Sequence, residues 1–181
     1  PQDGPDAQLE TSGPLDQDGL IAFLAKISTA RSGWTQEEAP EIGLEAILRM
    51  EKRPDVVFVM GDATYKEAGG NECPARGRTA PELAALLNKG GSTLHGLFYQ
   101  SQWSHDYDRE AFQTLASCGG GAFGALIDGE NDLLDMAVMA LVKAAGGARA
   151  VQQYALTYQP TGRQALEFKR GLLALEDKSD R

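Results

Sequence analysis

The chain has 181 residues, 17 basic against 26 acidic, with a formal net charge of −9 and a hydrophobic fraction of 42%. That length suits a single core, and the apolar and charged fractions are those of a folded globular chain. An acidic chain without clustered Lys and Arg lacks the main source of nucleic-acid affinity, which all but excludes nucleic acid as a partner. The charge is uneven: residues 1–46 carry nine acids against Lys26 and Arg31, whereas the stretch from Gly146 onward is slightly basic. The longest apolar run, Leu133 to Ala145, is broken by Asp135 and Lys143 and falls short of the ~20 residues that cross a bilayer. No signal peptide is visible, but the sequence opens at Pro1 rather than Met, so it is expected to be a processed form or a fragment of a longer precursor and the missing signal carries little weight.

Residues 1–15 are rich in Pro, Gly and Asp and read as a flexible linker. Leu20, Phe23, Leu24 and Ile27 then repeat at helical spacing behind Asp16 and Asp18. After the loop Ser32-Gly-Trp34-Thr35, a second helix is predicted through Leu44, Ile47 and Leu48, with Pro40 tolerated near its start. Arg53-Pro-Asp55 stops it. Val56-Val-Phe-Val-Met60 is a continuous β-branched and aromatic run, the pattern of a strand buried on both faces of a parallel sheet. A long polar loop from Gly61 to Arg78 leads to Thr79-Ala-Pro-Glu82, a capping box opening a helix on Leu83, Leu86 and Leu87.

The second strand is expected over Thr93–Tyr99, followed by a loop from Gln100 to Tyr107 and a helix on Ala111, Phe112, Leu115 and Ala116 ending at Gly119. Ala122–Ile127 reads as the third strand. Leu134, Val138, Leu141 and Val142, apolar at helical spacing, mark a further helix. Residues 148–181 read as an added helical extension, with Thr161-Gly-Arg-Gln164 as its capping box. The alternation of strand and helix predicts a three-layer α/β domain over residues 16–147 with an open, mostly parallel sheet. Ligands on such sheets sit at the carboxyl ends of the strands, so the loops after Met60 and Tyr99 flank the expected site.

Several motifs carry less than they spell. Gly119-Gly-Gly-Ala-Phe-Gly124 is a GxGxxG, but a helix precedes it and a strand follows, the reverse of the dinucleotide-binding order. Ser104-His105-Asp106 holds three neighbours that cannot form a catalytic relay. His95 falls within a strand, where a hydrogen-bonded core histidine is the simpler reading. Cys73 and Cys118 permit one disulfide, and no Cys/His cluster of zinc-site spacing is present. Asp62 stands one residue past the first strand, where a carboxylate suits a hard metal ion, and Thr35 could add a hydroxyl from a neighbouring loop. Thr35 also begins the capping box Thr35-Gln-Glu-Glu38, which explains it without a metal.

Gly33-Trp-Thr35 with Leu44-Glu-Ala-Ile47, Arg53-Pro-Asp-Val-Val-Phe-Val-Met-Gly-Asp62-Ala, Leu94-His-Gly-Leu-Phe-Tyr99 and Leu115-Ala-Ser-Cys-Gly-Gly-Gly-Ala-Phe123 occur in order at sensible distances. Together they resemble the second half of a von Willebrand factor type A domain of bacterial type, over roughly Asp16 to Ala145. The resemblance implies a protein-interaction or adhesion module, and often a metal-ion-dependent adhesion site for Mg²⁺ or another divalent ion. Thr35 and Asp62 then match two of its ligand positions. The Asp-x-Ser-x-Ser motif of the family's first strand is absent, Gly61 replaces the usual Thr, and Ala63 replaces the usual Gly. A divalent ion is thus expected only if the missing motif is supplied from elsewhere.

The resemblance also leaves the Val56–Met60 strand as an apolar edge that another segment or chain should cover. Bacterial proteins of that family are often exported, so the resemblance slightly favours an extracytoplasmic location, which two cysteines allow without proving. Trp34, Tyr65, Trp103 and Tyr107 lie in or beside the expected site loops and are candidate contacts for a protein partner, the alternative being that each ring packs against its own helix. The alternative reading is a small α/β hydrolase or transferase using Asp62 with His95 or His105 as acid and base.

Overall fold

Three short apolar runs, each separated from the next by an amphipathic helix, can bury both faces only as parallel strands between helical layers. The structure, a computed structural model, describes residues 18, 19, 22, 39–65, 78–100, 102, 104–127 and 132–175. The expected Leu20–Ile27 helix lies mostly outside these residues, although Asp18, Gly19 and Ala22 are helical. In chain order follow α1 (Pro40–Leu48), β1 (Val56–Gly61), α2 (Ala80–Lys89), β2 (Thr93–Gln100), α3 (Asp106–Cys118), β3 (Gly120–Ile127), α4 (Asp132–Tyr158) and α5 (Arg163–Ala174).

Among the described residues the sheet has three parallel strands in the order β1-β2-β3, with Phe58 opposite His95 and Leu97 opposite Gly124. Alternate side chains serve different helical layers. Val57 and Leu94 pack with Leu44 of α1, Leu83 and Leu87 of α2, and Leu115 of α3. On the other face, Leu97, Ala122 and Leu126 pack with Met136 and Met139 of α4 and with Phe168 and Leu172 of α5. The result is a three-layer α/β/α arrangement with an open sheet. No helix among the described residues is long and apolar enough to cross a membrane.

Local signals set several boundaries. Pro40 sits in the first turn of α1, where its missing N–H costs nothing. The Thr79 box forms as the sequence predicts: Glu82 N–H donates to Thr79 Oγ1 at 3.3 Å, and Thr79 N–H donates to Glu82 Oε2 at 2.8 Å. Gly96 lets α3 lie directly on β2, because a Cβ there would stand 2.5 Å from the backbone oxygen of Phe112. The glycine run Gly119–Gly124 caps α3 and opens β3, a helix-then-strand order. β3 begins at Gly120, two residues earlier than the apolar run suggests.

Three tertiary features depart from the sequence reading. First, α4 turns a different face inward: Met136, Met139 and Ala140 are buried, while Leu134 is 72% and Leu141 54% exposed. Val142 is half-buried against the same core. The first half of α4 is apolar around much of its circumference, so periodicity alone could not choose its face. Docking on the sheet and α5 sets the rotation, and two polar contacts accompany it: Asp135 accepts from the Tyr154 hydroxyl at 2.9 Å and Lys143 donates to the Leu175 carbonyl at 3.0 Å.

Second, α4 runs through the glycine pair with a break at Gly146 and Gly147, the latter at φ 66°. The helical extension therefore starts inside α4, and its second helix, α5, buries Phe168 and Leu172 fully against the sheet. Each such side chain contributes about 1.5–3 kcal/mol of burial.

Third, the Thr161 capping box does not form. α5 starts at Arg163 without a side-chain cap from Gly162, and the buried Asp132 of α4 accepts the Ala165 N–H at 2.9 Å. A carboxylate from another helix takes the place of the local hydroxyl.

Candidate functional site

β1 ends at Gly61 and β2 at Gln100, and the loops that follow them meet at the same end of the sheet. Asp108, in the first turn of α3, holds them together. Its Oδ1 accepts the Thr64 N–H at 2.8 Å and its Oδ2 accepts the His105 N–H at 2.8 Å. The residue is 4% exposed, so both bonds lie away from competing water. The second bond is the half of a capping box in which a carboxylate three residues into a helix reaches back to the N-cap. Ser104 Oγ adds a longer link, donating to the Asp62 carbonyl at 3.4 Å.

This clamp presents an exposed rim. Asp62 is exposed, and Met60 just before it is 59% exposed. Tyr107 is 53% exposed and stacks on the His105 ring, with centroids 5.1 Å apart and planes 16° from parallel. Tyr65 behaves differently: it is half-buried and packs against the Leu44–Leu87 cluster beside Cys118. Burial raises its phenol pKa, with smaller upward contributions from Cys118 and Glu41. Of the four aromatic candidates, Trp34 and Trp103 lie outside the described residues, as does Thr35.

The described donors do not fit a divalent cation. A hard ion takes six or more oxygen ligands, whereas no group of three His, Cys, Asp or Glu among the described residues could hold a metal. Asp62 is the one expected ligand that falls within them. Cys118 forms no disulfide among the described residues, and Cys73, with which the sequence permits one, lies outside them.

His95 is 1% exposed in the middle of β2, where its Nδ1 accepts the Ala122 N–H at 3.0 Å. Its ring lies 5.5 Å from that of Phe58 and 5.6 Å from that of Phe168. Phe58 faces His95 in the ladder and precedes Asp62 by four residues. That spacing separates Asp62 from His95 by about 13 Å along the strands. The structure therefore brings Asp62 to the loop of His105 and not to His95.

Sequence reasoning missed Asp108. The available signal was its spacing, an acid three residues after the loop residue that precedes a helical pattern. Its second role, tying down the β1 loop, has no local signature. No protein-family model matches this chain, and no curated protein or solved structure matches it.

Proposed function

We propose that the chain is a protein-interaction module, of the von Willebrand A type in its resemblance, whose contact surface is the rim at the carboxyl ends of β1 and β2. One observation carries the reading: the buried Asp108 carboxylate bonds both loops at 2.8 Å and so holds exposed Asp62 and the Tyr107–His105 stack on a fixed support. Preorganised aromatic side chains on rigid supports make effective contact residues, because little freedom is lost on binding. The parallel strands in sequence order, with β1 outermost among the described residues, agree with the second half of such a fold. A divalent ion takes part only if an upstream segment supplies the Asp-x-Ser-x-Ser ligands, with Thr35 and Asp62 completing the set.

Partner capture from the source organism, followed by calorimetry with the purified partner, tests the reading. Tyr107→Ala and Asp62→Asn should each weaken binding at least about tenfold, and Leu141→Gln on α4 should leave it unchanged. A purified partner that binds all three variants like the parent overturns the proposal. A second reading is hydrolase or transferase chemistry using Asp62 with His105, whose loops lie at the same end of the sheet, where Ser104 Oγ donates to the Asp62 backbone carbonyl. Turnover of an ester or phosphoester panel that is lost in Asp62→Asn would select it.

A further inference from the structure

At the opposite end of the sheet, the first residues of the strands and the broken part of α4 border a cleft of about 560 Å³. Asp55, Thr93 and His95 line it from the sheet side, and Lys143, Gly147 and Arg149 from α4. The volume is that of a small-molecule site, and the walls combine apolar surface at Val56 and Ala140 with a few charged groups.

The break in α4 is what assembles the charged side. Lys143 and Arg149 are six residues apart, which in a continuous helix of 3.6 residues per turn would direct them to different faces. With Gly147 at φ 66° and ψ −165°, the helix is interrupted between them and both border one cleft. Arg149 is exposed and forms no ion pair among the described residues. Among the described residues, two cations, Lys143 and Arg149, and one carboxylate, Asp55, border the cleft, a positive balance in a chain of net charge −9. A positive pocket in an acidic protein attracts anions and repels cations.

The geometry points to a second binding site, separate from the rim: this cleft takes a small organic anion, a carboxylate or phosphate monoester with an apolar body, held by Arg149 and Lys143. The site does not depend on the interaction reading above. His95 lines the cleft and supplies the reporter. The chain has only two histidines, and the other, His105, stands at the far end of the sheet.

Histidine-selective ¹⁵N labelling gives a spectrum of two rings, assigned by a His105→Gln variant. Benzoate and phenyl phosphate serve as anionic probes and benzamide as the neutral match. The expected result is a saturable shift of the His95 ring with benzoate, phenyl phosphate or both, no shift of His105, and no response to benzamide. Whichever anion acts identifies the head group. Arg149→Gln, at an exposed position, keeps the folded spectrum and weakens the anion at least about tenfold. No saturable His95 shift up to about 10 mM of either anion, an equal response to benzamide, or parent-like binding by Arg149→Gln overturns the proposal.

Discussion

Asp108 and Thr64 stand 44 residues apart in the chain and share a 2.8 Å hydrogen bond between a buried carboxylate and a backbone N–H. The same carboxylate accepts from His105, so one side chain sets the position of two loops relative to α3. Asp108→Ala leaves two N–H donors without their acceptor, and denaturant unfolding should show a loss of about 3 kcal/mol. Hydrogen exchange should speed up at the Thr64 and His105 amides in this variant. Asp108→Asn keeps one acceptor oxygen and should lose less. Equal stability of parent and Ala variant would show that the clamp is not formed.

The close approach of α3 to β2 gives a sharper steric test. Gly96→Ala places a methyl 2.5 Å from a backbone oxygen of Phe112, which moves only with the whole helix. A loss of about 2 kcal/mol or more is expected in chemical denaturation. Gly124→Ala meets side chains only, the Met136 sulfur at 2.6 Å and then Leu97 Cδ2 at 3.0 Å and Phe168 Cδ2 at 3.1 Å. A thioether near the end of a flexible side chain can give way, so Gly124→Ala should cost less than Gly96→Ala.

The rotation of α4 is testable with two substitutions. Met139 is fully buried, and Met139→Ala should cost about 2–5 kcal/mol. Leu141 is 54% exposed, and Leu141→Gln should stay within about 0.5 kcal/mol of the parent. Thermal melts of both variants decide the matter: the opposite ranking would make the Leu134–Leu141 face the buried one.

Tyr154 carries a pH signature. Burial, then the hydrogen bond to Asp135 and the charge of that carboxylate, push its phenol from the ordinary 10.0 up to about 12. Because the folded state favours the protonated phenol, this contribution to stability is complete below about pH 10. It declines as pH rises from there through about 12. Ultraviolet titration should find one tyrosine ionising near the upper end of that range, and Asp135→Asn should bring it down. The Tyr154 hydroxyl donates to Asp135 at 2.9 Å, so an unmoved titration in that variant would contradict the contact.

How much of this was legible follows from how far each signal reaches. β1 was readable because a run of Val, Val, Phe, Val and Met has no polar position to turn outward. The Thr79 box was readable because both of its hydrogen bonds close within four residues. Strand, helix and strand in succession then required parallel pairing, and with it a layered α/β sheet. The sequence also marked Asp62 as standing at the strand's carboxyl end, since that position depends on one boundary only.

The remaining features were decided by partners distant in the chain. Thr161 carries the local signature of a cap, yet Asp132 from another helix caps α5, because packing places a buried carboxylate at that terminus. Leu134 and Met136 are both apolar, and only the docking of α4 against β1, β3 and α5 could choose between them. Asp108 looked like an ordinary acid in a first turn until Thr64 arrived beside it. The sequence placed a boundary at residues 147 and 148, but only the fold shows a break at Gly146 and Gly147 that brings Lys143 and Arg149 to one cleft. Periodicity and capping are local free energies of a few residues. Which face is buried, and which carboxylate meets which amide, depends on the whole core closing at once.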